Sequence, residues 1–383
     1  MSISEPDHNA LTELQAGLPA SFYTDEAHYR RELEAIFYRH WNYLCRAEEI
    51  AAPRSYQVVK LGDQQIVVLR DDDGKLQAFH NTCRHRGSLL LEAGSGVLRS
   101  DALVCPYHAW SYSLQGDLRR IPSKQRPAGF DPACFSLYPV RLELWCGMVF
   151  INLDTDTATS IEDSFDLPRG LASWPLESLR VGHTLRKSIH CNWKLFWENY
   201  SECLHCPGVH PELSKLVPVY GQFLMEVQDD PNWRSRLEQE PLFKPGLAAG
   251  MQTWSADGQF IAPLLPGLSQ EEIASGHTFI TSWPSVYVVG HADYVRIVRL
   301  RPLSATETEL QAQWLFAPET LANPDFDAAA VAAFTEMVMM QDAAITEINQ
   351  RGLGALPHQA GVLLPEEYEV FAFQQWVRKQ LSE

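Results

Sequence analysis

The chain has 383 residues but no apolar run near the ~20 residues that a bilayer-spanning helix needs. Its longest apolar stretch, around Leu144 to Leu153, reads as a buried strand. The opening residues, Met1 to His8, are polar and lack the charged-then-apolar pattern of a secretory leader. A cytoplasmic protein without a membrane partner is therefore expected. Positive charge is also scarce: 31 Lys and Arg face 48 Asp and Glu, for a formal net charge of -17. Without a basic patch, nucleic acid is not an expected partner. An acidic surface suits a basic redox partner or a cationic substrate. Internal repeats, low-complexity tracts and a Gly-rich phosphate loop are missing, and Gly94-Ser-Gly96 lacks the rest of a dinucleotide fingerprint. No flavin or nicotinamide domain of its own is expected.

What remains is a chain long enough for about two domains at roughly 150 residues each. Asp25 to Cys45 reads as an amphipathic helix, with Leu33, Ile36, Phe37 and Trp41 at helical spacing and Thr24 as the candidate N-cap. From Ser55 to Leu153 short β-rich runs alternate with turn signals such as Asp73-Gly74, Gly94-Ser95-Gly96 and Gly116-Asp117. Asp154 to Asp163 reads as a polar linker. Beyond it, Asn192 to Cys206 reads as a helix stopped by Pro207-Gly208. Phe279 to Leu300 and Glu309 to Phe316 read as strands, and Asp325 to Gly352 as a long helix. The expected fold class is α+β, with an N-terminal helical segment over 1–45, a β-rich module over 46–155 and a mixed helix and antiparallel-sheet domain over 156–383.

Eight cysteines in a long cytosolic chain are more often metal ligands or core residues than disulfides. Two of them start paired motifs, Cys83-Arg-His85 and Cys105-Pro-Tyr-His108. Two thiolates and two imidazoles suit tetrahedral zinc or a Rieske [2Fe–2S] centre, which carries two Cys on one iron and two His on the other. Each loop here supplies one Cys and one His, unlike the Cys-pair-then-His-pair order of a zinc finger, and this favours the cluster. Ser111, Tyr112 and Gly116 follow closely enough to tune the sulfurs.

A second constellation lies in the second half. His205 and His210 flank Pro207-Gly208, and Asp342 stands in an otherwise apolar helical segment where an unpaired buried carboxylate would be costly. Two His and a carboxylate form the facial triad of non-haem Fe(II) oxygenases, with positions left open for O₂ and substrate. Glu347 competes with Asp342 for the third place, and Cys203 and Cys206 read as packing residues.

The blocks His80-Asn-Thr-Cys-Arg-His-Arg-Gly-Ser88, Val104-Cys-Pro-Tyr-His-Ala-Trp110, Glu198-Asn-Tyr-Ser-Glu-Cys-Leu-His-Cys206 with His210, and Gln341-Asp342 through Gly352 together resemble the α-subunit family of Rieske ring-hydroxylating oxygenases. The resemblance spans nearly the whole chain. It implies Cys83, His85, Cys105 and His108 as cluster ligands, and His205, His210 and Asp342 as ligands of a mononuclear Fe(II). It further implies an O₂-dependent oxygenase acting on a small organic substrate, served by a separate NAD(P)H-dependent reductase with or without a ferredoxin. A homotrimer is implied, with the cluster of one subunit serving the iron of the next. Glu202 stands where most of the family has a bridging Asp, and Glu there resembles the branch that oxidises quaternary ammonium compounds. Trp193, Trp197, Tyr200, Trp283 and Tyr287 offer aromatic faces for such a cation. An aromatic or alicyclic acid is the alternative substrate in the same family. A Rieske electron carrier is the alternative from another class, although a carrier has no use for the second half of the chain.

Overall fold

The computed structural model describes residues 9–166 and 170–382. The chain divides into two compact units, Phe37–Ser164 with Trp283–Ser285, and Met1–Ile36 with Phe165–Ser282 and Val286–Glu383.

The first unit is built from ten short strands: β1 (Asn42–Arg46), β2 (Ser55–Leu61), β3 (Gln64–Arg70), β4 (Leu76–His80), β5 (Gly94–Val97), β6 (Ala102–Val104), β7 (Ser111–Ser113), β8 (Leu118–Arg120), β9 (Arg141–Trp145) and β10 (Met148–Asn152). They pair antiparallel as three small sheets in the orders β4-β3-β2-β5, β6-β7-β8 and β9-β10-β1. Ile66 and Val68 of β3 face one apolar cluster with Val149 and Ile151, whereas Val67 and Leu69 face another with Leu103 and Tyr112. A strand with both faces covered reads as a continuous apolar run, and β3 does.

Four expectations change here. The helix expected over Asp25 to Cys45 stops early: α1 (Glu26–Glu32) runs into one π-helical turn, Leu33–Phe37, and the rest is strand β1. The Asn42 side chain ends the helix by donating to the Phe37 and His40 carbonyls at 2.7 and 2.8 Å. Asp25, not Thr24, caps α1, accepting from the His28 N–H at 2.9 Å. The apolar run around Leu144 is a hairpin, β9 to β10, not one strand. It turns at Cys146 and Gly147, both with positive φ, and a Cβ at Gly147 would stand 2.5 Å from the buried Arg46 guanidinium. The stretch Asp154 to Asp163 is no open linker, because Thr159 accepts from the Trp41 indole at 2.9 Å and the Ile161 N–H donates to Glu143 at 2.9 Å.

The second unit centres on a five-stranded antiparallel sheet, β11 (Arg180–Ile189), β12 (His277–Ser282), β13 (Val286–His291), β14 (Val295–Ser304) and β15 (Glu307–Phe316), in the order β11-β15-β14-β13-β12. Register places Phe279, Val289 and Arg296 side by side across three strands, with Tyr287 and Val298 in the next row of the same face. Helices α2 (Trp193–Tyr200) and α4 (Ala328–Gly352) pack together, and α4 also packs on β11. By length and composition α4 could span a bilayer. Its apolar face is spent on these contacts instead, with Val331, Phe334 and Val338 buried. The α5 helix (Tyr368–Gln380) closes the set.

A fully buried ion pair ties α1 to α2: Glu32 meets the Lys194 ammonium at 2.5 Å and also accepts from the Trp193 indole at 2.8 Å. Removing one partner of such a pair typically costs ~3–5 kcal/mol, because a buried charge is left alone. Beside it, Glu198 accepts from the Tyr23 hydroxyl at 2.7 Å and the Gln374 amide at 2.9 Å. Burial pushes the Glu198 carboxyl from 4.5 up to about 7, against those hydrogen bonds and the Lys194 charge. A raised folded-state value means that the group's contribution to stability is full below pH 4.5 and is lost as pH rises through about 7. The neutral Glu198→Gln keeps both hydrogen bonds and escapes that loss. Its melting temperature is expected to match the wild type at pH 5 and to exceed it by about 2–4 °C at pH 8. Parallel melting curves across pH check this, and an equal difference at both pH values would contradict it.

Candidate metal centres

In the first unit two loops of the same construction face each other. In one, the Cys83 N–H donates to the Ser88 carbonyl at 2.8 Å and the Gly87 N–H to the Cys83 carbonyl at 2.9 Å. In the other, the Cys105 N–H donates to the Trp110 carbonyl at 2.8 Å and the Ala109 N–H to the Cys105 carbonyl at 3.1 Å. The fourth residue after each cysteine, Gly87 or Ala109, turns the chain with positive φ. This likeness of backbone was invisible in the sequence, where the spacings differ.

The loops bring together all four residues singled out in the motifs. Cys83 and Cys105 are buried among Leu90, Leu103, Tyr112 and Leu114. His85 and His108 stand at the outer tip, their rings 4.8 Å apart, with His85 stacked on Trp110 at 4.9 Å. Tyr112 accepts from the Arg84 N–H at 3.0 Å, which aims its hydroxyl hydrogen at Cys83 Sγ, 3.2 Å away. Burial acts to raise both thiols. Backbone N–H groups of Tyr107 and His108 turned toward Cys105 outweigh it and lower that thiol, whereas Cys83 stays raised. Donors aimed at sulfur, a dry thiol side and a wet imidazole side fit a [2Fe–2S] group with two thiolates on its inner iron and two imidazoles on its outer one. Gly116, φ +94°, permits the turn beneath: a Cβ there would stand 2.5 Å from the Phe79 ring.

In the second unit α2 ends at Tyr200, and the break comes before His205 rather than after it. The Glu202 carboxylate captures the N–H groups of Leu204 and His205 and so forms a turn where a longer helix was expected. A four-residue helix, α3 (Cys206–Val209), then starts with Pro207 in its first turn, where a missing N–H costs nothing. His205 and His210 flank this helix, their rings 5.2 Å apart. Cys203 and Cys206, read as packing residues, are buried in an apolar cluster and are also joined by a disulfide.

From α4, Asp342 Oδ1 reaches His210 Nε2 at 2.8 Å and His205 Nε2 at 3.3 Å. One ligand atom from each of these three residues lies within 4.8 Å of the others. His205 Nδ1 is held by Glu202 Oε1 at 2.6 Å and His210 Nδ1 by Gln341 Oε1 at 2.8 Å. Acceptors at both Nδ1 atoms hold a proton there and turn both Nε2 atoms toward the carboxylate. This donor set fits a divalent iron with open positions. Burial acts to lower the His205 imidazole, but hydrogen bonds to Asp342 and Glu202 outweigh it and raise the group to about 9. A bound metal ion therefore has a proton to displace. Glu347 is engaged elsewhere, accepting from the His190 N–H at 2.9 Å.

The triad opens into a cavity whose empty space, adjoining open solvent included, is about 670 Å³. Tyr200 and Tyr287 line it, stacked at 4.0 Å, together with Tyr220, Trp254, Phe279 and Arg296. Trp193 and Trp197 are fully buried core, and Trp283 is outside this lining. Trp254, His277 and Arg296 had no sequence signal, because they lie in segments without a motif. A neighbouring cavity shares Tyr220, Met225, His277 and Phe279 and carries Glu226, Glu271 and Glu369 on its wall.

Residues 40–139 match the family model of the Rieske [2Fe-2S] domain, and residues 176–383 that of the ring hydroxylating alpha subunit catalytic domain. The glycine betaine monooxygenase oxygenase subunit of Chromohalobacter salexigens is 30% identical over 94% of this chain and 84% of its own length. The carnitine monooxygenase oxygenase subunit of Escherichia coli is 38% identical over 53% of this chain and 54% of its own. A quaternary ammonium Rieske monooxygenase in complex with L-carnitine has a TM-score of 0.70 at 23% identity, covering 98% of this chain and 99% of that one. Naphthalene 1,2-dioxygenase from Rhodococcus sp. bound to indole also scores 0.70, at 22% identity, covering 96% and 95%. Equal likeness to both structures shows the shared fold and leaves the substrate open.

Tyr112→Phe removes the hydroxyl that points at Cys83 Sγ. Losing a donor to sulfur destabilises the reduced cluster, so its reduction potential should fall by tens of millivolts while its visible spectrum persists. Spectroelectrochemical titration reads this, and an unchanged or higher potential would contradict it.

Proposed function

The chain belongs to the Rieske oxygenase α-subunit family, and from that premise we propose that its substrate is a small N-methylated quaternary ammonium compound. It is an O₂-dependent oxidoreductase that carries a [2Fe–2S] cluster and a mononuclear iron, takes a small-molecule substrate and receives electrons from a separate reductase. In this reading Cys83, His85, Cys105 and His108 hold the cluster, and His205, His210 and Asp342 hold the iron.

The observation that carries the substrate class is the cavity next to the triad, lined by the rings of Tyr200, Tyr220, Trp254 and Tyr287. Aromatic faces attract a quaternary ammonium through the ring quadrupole, each contributing about 0.5–2 kcal/mol once desolvated. The acidic wall of the neighbouring cavity favours the approach of a cation. Relatives named for glycine betaine and carnitine support the same class.

When bound, the iron supplies reductive O₂ activation; the remaining work belongs to the chain. Glu202 and Gln341 hold the imidazoles in one tautomer. The rings exclude water and set an N-methyl group beside the triad. One O₂, two electrons and two protons convert an N-methyl to an N-hydroxymethyl group and water. That product collapses to a tertiary amine, formaldehyde and a proton. Oxidation of the other carbon on nitrogen would release trimethylamine instead.

The electrons come from NAD(P)H through the reductase, directly or by way of a ferredoxin, in the cytoplasm. The assembly is a homotrimer in which Glu202 links His205 to the partner subunit's His108. Family resemblance supports this arrangement, as does the partly exposed setting of His108.

Asp342→Ala should lose the mononuclear iron and keep the cluster spectrum. Metal analysis with visible spectroscopy reads both, and full iron retention would return the ligand role to Glu347. Turnover with a surrogate reductase should release formaldehyde or trimethylamine from one or more of glycine betaine, carnitine and choline. A phenol or cis-diol from an aromatic acid, with no ammonium turned over, would overturn the substrate class.

A further inference from the structure

Strand β14 carries three inward or half-buried arginines, and two of them have carboxylate partners. Arg299 meets Glu309 at 3.0 Å and Arg301 meets it at 2.8 Å. Arg296 lies on the opposite face of the strand, which is the cavity face. It is 4% exposed, and among the described residues no carboxylate pairs with it. Its Nε and Nη1 have no hydrogen-bond partner there either. A buried guanidinium stays charged, and leaving it unpaired is expensive.

Its surroundings repeat the pattern. Trp254, whose ring centroid is 6.0 Å from the Arg296 guanidinium carbon, has an unpartnered indole Nε1. The Tyr200 hydroxyl and His277 Nδ1 are unpartnered too, and all three residues line the same cavity. His277 Nε2 faces the Tyr220 hydroxyl at 3.1 Å, which can donate to it and leave the proton on Nδ1. Burial, then the Arg296 charge, lowers His277 to about 4, so it stays neutral and competes for no anion as a cation. Three neutral donors and one fixed positive charge line a cavity that also has aromatic and aliphatic walls, among them Phe279, Tyr287, Val289 and Val338.

We propose that Arg296 anchors a substrate carboxylate, so that the site takes a betaine-type zwitterion, with its ammonium on the aromatic faces and its carboxylate on Arg296, in preference to an uncharged-tail compound such as choline. This rests on the quaternary ammonium reading and narrows it. It also reconciles a cavity that holds both cation-attracting rings and a buried cation: each end of a zwitterion satisfies one of them. The planar fork of arginine suits a carboxylate in two-point contact.

The test uses the holoenzyme under anaerobic conditions for binding, by titration calorimetry, and aerobic turnover for kcat and KM. Glycine betaine, carnitine, their methyl esters and choline are the probes. In the wild type the better acid should bind about 10²-fold more tightly than its own ester, a size expected for a buried charge-to-carboxylate contact. Arg296→Gln should reduce that ratio to near one, acting through KM rather than kcat, and Arg296→Lys should recover part of it. Unchanged cluster absorbance and iron content certify that the variants are folded. Should Arg296→Gln not fold, the wild-type acid-to-ester ratio decides alone. Esters and choline bound and oxidised as well as the acids would overturn the carboxylate anchor and leave the ammonium reading standing. Absence of binding or turnover for every trimethylammonium compound would overturn that reading and this inference with it.

Discussion

One carboxylate oxygen, Asp342 Oδ1, lies 2.8 Å from His210 Nε2 and 3.3 Å from His205 Nε2, and this convergence fixes where three elements must stand. Helix α4 has to pass close to α2 and α3, and it does so by packing on α2 and β11. The imidazoles have to present Nε2, so their Nδ1 atoms are held by Glu202 and Gln341. Without those second contacts each ring could turn or shift its proton, and the donor set would be lost. The short α3 helix sets the spacing of the two rings.

The rule that buried polar groups find partners organises the rest of the second unit. Lys194 has Glu32, Glu198 has Tyr23 and Gln374, and Arg299 has Glu309. Against that background the groups left over are informative. Several cluster on the cavity side of the sheet, around Arg296 and Trp254, next to the triad. Buried atoms without a partner among the described residues occur elsewhere in the unit too, at His28, His291, Asp293 and Gln311, but Tyr200, Trp254, His277 and Arg296 each have one and line a single cavity next to the triad. In the first unit the polarity is graded: dry cysteines within, exposed His85 without, and Tyr112 between strand and sulfur.

Much of this was legible in the sequence. The two Cys-and-His motifs, the His pair and Asp342 are local or carry a chemical cost that marks them. Four strands of the catalytic sheet fall on the stretches read as strands, Phe279 to Leu300 and Glu309 to Phe316, whereas the half-exposed, charged β11 was not legible. Other features depend on contacts between distant residues. The break before His205 follows from a carboxylate capturing backbone N–H groups, which the helical pattern of Asn192 to Cys206 does not reveal. Asn42–Arg46 became strand because β10 offered it a partner, although the preceding residues carry helical spacing. Arg296 looks like its neighbours Arg299 and Arg301 until register shows which side of the strand meets Glu309. Glu347, the competitor to Asp342, is set aside by where α4 turns each side chain.

In the proposed function the two metal sites and the cavity form one oxygenase whose oxidising power is directed at an N-methylated substrate. A single-turnover experiment tests it without any reductase. The chemically reduced protein is mixed with O₂ in the presence and absence of glycine betaine or carnitine, while cluster oxidation is followed by absorbance and the quenched mixture is assayed for formaldehyde and trimethylamine. The account predicts that the substrate accelerates cluster oxidation and that product appears in proportion to the clusters oxidised. Cluster oxidation at the same rate with and without substrate, and no product from either compound, would contradict it.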